Sequence, residues 1–505
     1  MLTLADVIEG LTGYYPRGEA EGQRISQAII NSREATPGSL FVALPGQRVD
    51  GHDYVADAFS RGAIAALVHR TLDVGNWTLD VGSWKLGPEA TQGQASNFQL
   101  PPARAAARPG SRQRAREPGR AASNLQLPMC IKVTDSLKGL QQLATYWRAK
   151  FNPRVVAITG SVGKSSTKEL TWAVLRQRFN TLKSPGNLNN EIGLPLTLLG
   201  LDDSHERVVL EMGMYDLGEI RGLCAIARPH VGIVTNVGPT HLERLGTIQR
   251  IAQAKAELVQ ALPPDGVAVL NHDDPFVRPM AHETQARVFS YGLTPEADLW
   301  AGDIVSEGLE GIHFVLHYQG EALHAKAPLL GRHSVHTALR AAAVGLIEGM
   351  NWDEIMTGLQ DSTVQLRLVS VPGFNGSTLL DDTYNASPVS TIAALNLLDD
   401  LSGRKIAVLG DMAEMGDQEE EGHRRVGCRA ADTVDLLITV GPRAHWMAEE
   451  ACACGLPPDA INEVETNDQA VAHLRQIVQP GDIVLVKGSR SMAMEEIVTA
   501  LQVPA

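Results

Sequence analysis

Apolar positions along the chain fall into two rhythms: short runs that end in glycine, acid or asparagine, and longer runs with helical spacing. In the first part, to about Arg70, "GSLFVALPG" predicts a strand closed by a turn, and "YVADAFSRGAIAALV" a helix, a glycine break and a strand. The same alternation returns at "MCIKVTD", a strand, and "SLKGLQQLATYWRAKF", a helix. From Pro153 onward "VVAITG", "RVVLEMG", "VGIVTNVG" and "GVAVLNHDD" read as buried strands whose C-terminal ends carry the polar residues. That is the pattern of a parallel α/β sheet with its site along one edge. "LLGRHSVHTALRAAAVGLIEG" predicts a helix, and "STLLDDTYNASP" then opens another α/β unit with strands in "KIAVLGD", "LLITVG" and "DIVLVKGS".

Between Thr71 and Leu127 the rhythm is lost. "TLDVGNW" is followed at once by "TLDVGSW", and "ASNFQLP" recurs as "ASNLQLP" with an Arg/Ala/Pro/Gly run between. The copies are too short and too few for a solenoid, so residues 71–127 are expected to be a disordered, passive insert within the first domain.

Charge and composition narrow the functional classes. A formal net charge of −14 opposes nonspecific attraction to nucleic acid or anionic membrane, so anionic ligands need local cations and backbone amides. The five cysteines are odd in number and lack zinc-finger spacing, which predicts reduced thiols in a cytoplasm. "MLTLADVIEG" has neither a basic nor an apolar leader region, and no apolar run reaches membrane-spanning length. The expectation is a soluble, cytoplasmic, monomeric protein without nucleic-acid partners or stable membrane insertion.

The candidate chemistry begins at "VVAITGSVGKSST". A strand running into a glycine-rich turn and a helix offers amide donors, a mobile cation in Lys164 and a hydroxyl for Mg²⁺ in Ser165. The full Walker A spacing would place glycine where Ile158 stands, so only the second half of that motif is present. Glu211 and His241 each follow a strand on the same expected edge as Ser165, which makes them candidate metal ligands. Lys255 lies in helical spacing, and nothing in that spacing alone separates it from a surface lysine.

"TGSVGKSST", "SPGNLNNEIGLPLTLL", "LEMG", "NVGPTHLE", "AKAE", "LNHDDP", "GRHS", "LDDTYNASP", "LGDMAEMG" and "VKGSRSMAME" occur in the order and spacing of the Mur ligases. "GNLNNEIGLPLTLL" and "VLGDMAEMG" resemble those members that join D-alanyl-D-alanine to UDP-N-acetylmuramoyl-tripeptide. The resemblance implies a short TG-x-x-GK-[ST] phosphate loop and an α/β fold in three domains. These are a UDP-muramoyl-peptide domain over 1–150, a central P-loop ATPase domain over 151–362 and a C-terminal Rossmann-like domain over 363–505. It implies ATP held by Thr159, Gly160, Ser161, Val162, Gly163, Lys164, Ser165 and Ser166, with Asn271, Arg332 and Asp382 contributing. Two Mg²⁺ ions would be held by Ser165, Glu211, His241 and a carbamate on Lys255. Lys164, His241, Lys255 and Arg367 are the implied catalytic groups. Ser32 and Arg33, in "NSREATPGSLFVALPGQRVDGHDY", would contact the uridine nucleotide, and Asn187, Asn189 and Asn190 the substrate. Departures from the family pattern fall at Asn31, Ser334, His336 and Ser387.

Three other readings compete. A sibling ligase would add a single amino acid to another carboxylate, and the two distinguishing stretches disfavour it. A regulatory protein that had lost catalysis would have broken phosphate or metal residues, yet Lys164, Ser165, Glu211, His241, Lys255 and Arg367 are all present. A P-loop kinase or GTPase would transfer phosphate to a hydroxyl or to water.

Overall fold

The structure is a computed structural model that describes residues 1–16, 18–46, 49–74, 77–81, 127–240, 242–361 and 368–503. The chain forms two compact units. One takes Met1–Pro153, Ser184–Glu206 and Ala225–Ala227; the other takes Arg154–Lys183, Arg207–Cys224 and the chain from Arg228 onward.

The first unit holds a parallel five-stranded sheet. Its order is Ala28–Ile29, Leu40–Val42, Ala65–Val68, Met129–Lys132, Trp77–Asp80. The strands and helices expected from its apolar runs form, including the helix Ser136–Ala149, started by Asp135, whose carboxylate accepts from the amides of Leu137 and Lys138. One expectation is corrected. Disorder is expected across the segment from Thr71, but Trp77–Asp80 is the edge strand, paired in register with Met129–Lys132. The second copy of the duplicated unit begins at Thr78, and its alternation buries Leu79 while Asp80 reaches the Lys132 ammonium at 3.3 Å. A degenerate repeat thus supplies enough period-two patterning to complete a sheet. Residues 75–76 and 82–126 of the expected insert lie outside the described residues.

The second unit contains two sheets. The larger has nine strands in the order Glu321–Ala327, Ile312–Tyr318, Leu299–Ser306, Arg287–Gly292, Val267–Asn271, Val231–Val234, Arg154–Thr159, Arg207–Glu211, Thr181–Lys183. Seven are parallel, from Leu299–Ser306 to Thr181–Lys183. The other two form an antiparallel hairpin that the sequence reading did not separate out. Its two-residue turn is Gln319-Gly320, both at positive φ, as tight hairpins require. The helices Lys164–Leu175 and Val335–Ile347 pack on the sheet, burying Leu170, Val174, Leu339 and Val344 against Val156, Ile158 and Val269.

The other sheet of this unit runs Val369–Pro372, Thr378–Asp381, Ile483–Lys487, Lys405–Gly410, Leu436–Val440, Ile461–Val464, parallel except at its first pair. The expectation of five reduced thiols is also corrected. Cys428 and Cys454, 26 residues apart in sequence, form a disulfide between neighbouring helices, while Cys130 and Cys224 are buried thiols and Cys452 an exposed one. The pairing depends on how Glu419–Ala431 and His445–Ala453 pack, which cysteine spacing does not encode. Among the described residues no helix is long and apolar enough to cross a membrane.

The edge strand supplies a test. Leu79→Ala empties a fully enclosed position, so it is expected to lower the stability of the first unit by about 2–3 kcal/mol in urea unfolding. A change within ~0.5 kcal/mol, the usual range for a surface substitution, would mean that the strand does not pack.

Candidate active site

In the nine-stranded sheet, Arg154–Thr159 lies between Arg207–Glu211 on one side and Val231–Val234 on the other, and the chain builds outward from it in both directions. That makes the C-terminal end of Arg154–Thr159 a topological switch point, where α/β sheets open a crevice for ligands. Because the strands are parallel, Thr159, Glu211, Thr235 and Asn271 all arrive at this edge.

The phosphate loop, residues 160–163, is shaped by its neighbour. Gly160 has φ +146°, and a Cβ there would stand 1.9 Å from Thr235 Oγ1, so no other residue fits. Gly163, at φ +84°, turns the chain into the helix Lys164–Leu175. Between them the loop is tied to the strand end after Val234. The Ser161 amide donates to the Asn236 carbonyl at 3.0 Å and the Val162 amide to Asn236 Oδ1 at 2.9 Å. Asn236 Nδ2 and Thr235 Oγ1 both donate to the Val162 carbonyl, at 3.0 and 2.7 Å. Ser161 Oγ is bound by the Gly238 amide and the Thr240 hydroxyl. Asn236 was not singled out from the sequence, although it stands at the end of an apolar strand, "IVTN". The loop leads into the N-terminus of the helix Lys164–Leu175, the end of a helix that favours an anion.

Lys164 folds over this loop, its ammonium donating to the carbonyls of Gly160 at 2.8 Å and Ser161 at 3.3 Å. One residue on, the buried Ser165 hydroxyl donates to the fully buried Glu211 carboxylate at 2.5 Å. Thr159 Oγ1 is buried at the same strand end with no hydrogen-bond partner among the described residues. A buried carboxylate, a hydroxyl and an unpartnered oxygen beside a phosphate loop are hard donors, and they fit a Mg²⁺ ion. Lys255 lies on the helix Ile248–Gln260, which Thr247 starts by accepting from the Arg250 amide. Its side chain is 2% exposed. Burial, with the Lys164 charge nearby, holds its amine well below the usual lysine range. His241 and Arg367 lie outside the described residues.

A cavity of about 350 Å³ opens over the loop. Ser161, Val162, Gly163, Ser166 and Asn271 line it from the nine-stranded sheet, and Asp382 from the six-stranded one. Asn271 bridges two strand ends, donating to the Thr235 carbonyl at 3.1 Å and accepting from the Asp273 amide. Asp382 is paired at 2.5 Å with Lys487, a fully buried ammonium that also donates to the Asn385 carbonyl. Lys487 was missed as a site residue because "VKGS" reads as an ordinary strand end. His336 is bonded to Asp273 at 2.8 Å, and the Ser334 hydroxyl donates to the Leu330 carbonyl. Arg332 is exposed at the start of the turn Arg332–Ser334 and is not among the lining residues.

The remaining candidates belong to the first unit. Ser32 is buried, and its hydroxyl bonds to Asp57, which together with Arg61 holds that carboxyl below its usual range. Arg33 is exposed next to it on the same turn, its amide donating to Asn31 Oδ1. Asn190 Oδ1 accepts from the amides of Ile192 and Gly193 in the turn that leads into the helix Gly193–Leu198. Asn187 and Asn189 stand at exposed and half-buried loop positions, respectively, close to it in sequence, and the Asn187 carbonyl accepts from the Asn189 amide.

Comparison with known proteins agrees with this geometry. Three family models match in order: "Mur ligase family, catalytic domain" over 24–106, "Mur ligase middle domain" over 158–345 and "Mur ligase, glutamate ligase domain" over 366–490. The chain is 32% identical over 503 residues to the UDP-N-acetylmuramoyl-tripeptide--D-alanyl-D-alanine ligase of Bacillus subtilis, covering 99% of this chain and 98% of the relative. Among solved structures, MurF from Acinetobacter baumannii superposes with a TM-score of 0.78 at 27% identity over 98% of each chain. MurF ligase from Thermotoga maritima, in complex with ADP, gives a TM-score of 0.72 at 26% identity over 95% of this chain and 97% of its own. With a phosphate loop and a buried carboxylate–hydroxyl pair at the switch point, three matched domains and a full-length relative, the chain belongs to the Mur ligase family.

Proposed function

We propose that the protein is an ATP-dependent amide ligase that joins D-alanyl-D-alanine to UDP-N-acetylmuramoyl-tripeptide in cytoplasmic peptidoglycan precursor synthesis. The observation that carries this reading is the junction of the short phosphate loop with the buried Ser165–Glu211 pair at one sheet edge, with the buried Lys255 close enough to feel the Lys164 charge. The full-length similarity to a ligase named for that activity supports the choice of substrates.

In this reading ATP phosphorylates the terminal carboxylate of the tripeptide. The D-alanyl-D-alanine amine attacks the acyl phosphate, and the tetrahedral adduct collapses to amide and phosphate. Such transfers are accelerated chiefly by positioning and by neutralising anionic oxygens. The helix N-terminus and the Lys164 ammonium hold the transferred phosphate, and Lys164 leaves the carbonyls of Gly160 and Ser161 to do so. Asn271 fixes the strand end beneath the nucleotide, and Asp382, oriented by Lys487, accepts from the ribose hydroxyls. Ser32 and Arg33 contact the uridine nucleotide, Asn187, Asn189 and Asn190 the substrate, and Arg367 the terminal phosphate. Ser165, Glu211, His241 and a carbamate on Lys255 are the residues that would hold Mg²⁺, which when bound supplies charge neutralisation at the phosphates. A neutral amine is the form that reacts with CO₂, and the burial of Lys255 favours it.

Two outcomes follow. ADP release, followed by a coupled assay, is expected only with UDP-muramoyl-tripeptide, D-alanyl-D-alanine, ATP and Mg²⁺ together, and Lys164→Ala is expected to slow it at least ~100-fold. Undiminished turnover in that variant would refute the assignment of Lys164. For the carbamate, enzyme equilibrated with carbon-13 bicarbonate is expected to show a carbamate resonance that Lys255→Arg abolishes along with most activity. Near-normal turnover in Lys255→Arg would rule the carbamate out.

A further inference from the structure

The helix Val335–Ile347 carries an arginine whose environment its sequence does not explain. Arg340 is 4% exposed and lines the cavity above the phosphate loop. Its guanidinium donates to two neutral acceptors, the Tyr291 hydroxyl at 3.2 Å and Thr337 Oγ1 at 2.9 Å. Its Nε is buried with no hydrogen-bond partner among the described residues. Carboxylates in this region are bonded elsewhere: Asp273 to His336, Asp382 to Lys487, and Asp274 to the backbone amides of Val237, Phe276 and Val277. Arg340 has no ion pair among the described residues, and a guanidinium cannot shed its proton to escape burial.

Its position supplies the reason for keeping such a charge. Nη2 lies 3.2 Å from where a Cβ on Gly163 would stand, so the guanidinium abuts the phosphate loop at the turn into the helix. The Lys164 ammonium instead lies on the carbonyls of Gly160 and Ser161. Two amides that a longer loop could offer an anion, those of Ser161 and Val162, are committed to Asn236. The loop therefore has few donors of its own and a buried, uncompensated cation against its far end. A planar fork of N–H donors is suited to phosphate oxygens.

We infer that Arg340 is a nucleotide-binding residue whose guanidinium takes the phosphates retained in ADP, while Lys164 serves the transferred one. The inference rests on the reading of this cavity as the ATP site. The arginine completes a cradle that the short loop leaves electrostatically open, and the anion in turn supplies the charge that Arg340 lacks inside the protein.

The test is calorimetric binding of Mg²⁺-ADP and of adenosine to the full-length wild type, to Arg340→Met, which keeps bulk without charge, and to Arg340→Lys. Arg340→Met is expected to weaken ADP at least ~10-fold, the scale of a lost charge-assisted hydrogen bond, and adenosine less than twofold. Arg340→Lys, which keeps the charge but not the fork, is expected to fall between. If Arg340→Met does not fold, the lysine variant decides alone: a loss of ADP affinity several-fold greater than that of adenosine supports the assignment. Unchanged ADP affinity, or equal losses for ADP and adenosine, would reduce Arg340 to packing and overturn it. Wild-type protein that binds neither ligand would overturn both the inference and the nucleotide reading beneath it.

Discussion

The phosphate loop owes its shape to a steric constraint: Thr235 Oγ1 occupies the space that any side chain at position 160 would need. That contact requires glycine at the strand end, brings the loop against the neighbouring strand, and lets Thr235 and Asn236 hold Val162 through three hydrogen bonds. Once the loop is fixed, the helix from Lys164 begins where its first-turn amides and the Ser165 hydroxyl meet the edge carrying Glu211. A short loop suffices because the adjacent strand supplies the rigidity that extra glycines and turns would otherwise have to encode.

Rigidity has an electrostatic cost at the same place. Glu211, Lys255 and Arg340 are all almost wholly removed from water, and Lys487 is tolerated only against Asp382. Buried charges are retained when something compensates them, either within the protein or in a bound ligand. The hydroxyl on Glu211 and the depressed amine of Lys255 are two internal solutions, and both leave groups able to meet cations. Arg340 has no such internal counter-charge among the described residues, which sets it apart from the others. The edge is thus arranged for an ion-rich substrate, consistent with an acidic chain that cannot attract anions at long range.

Much of this was legible in the chain itself. Buried strands ending in polar residues marked the sheet edge, and the glycines and lysine of "TGSVGKSST" marked the loop. Asn236 and Lys487 escaped notice because a strand-end polar residue has the same local pattern whether it clamps a loop or faces water. Arg340 looked like one arginine in a helix, since its burial follows from packing against Tyr291 and not from spacing. The strand Trp77–Asp80 was hidden in a duplicated stretch whose repeats suggested disorder, and the bridge between Cys428 and Cys454 depends on how two helices pack.

In the proposed reaction phosphate passes to a carboxylate and is then displaced by an amine. If the tripeptide substrate carries oxygen-18 in its terminal carboxylate, attack of that carboxylate on ATP puts a labelled oxygen in the bridge of the acyl phosphate. Amine attack at the carbonyl carbon then expels it with the phosphate. Mass spectrometry of the inorganic phosphate released during turnover with D-alanyl-D-alanine should therefore find one labelled oxygen per molecule of amide formed. Phosphate without label would show that ATP is split by water or passes its phosphate elsewhere, and would contradict the ligase mechanism.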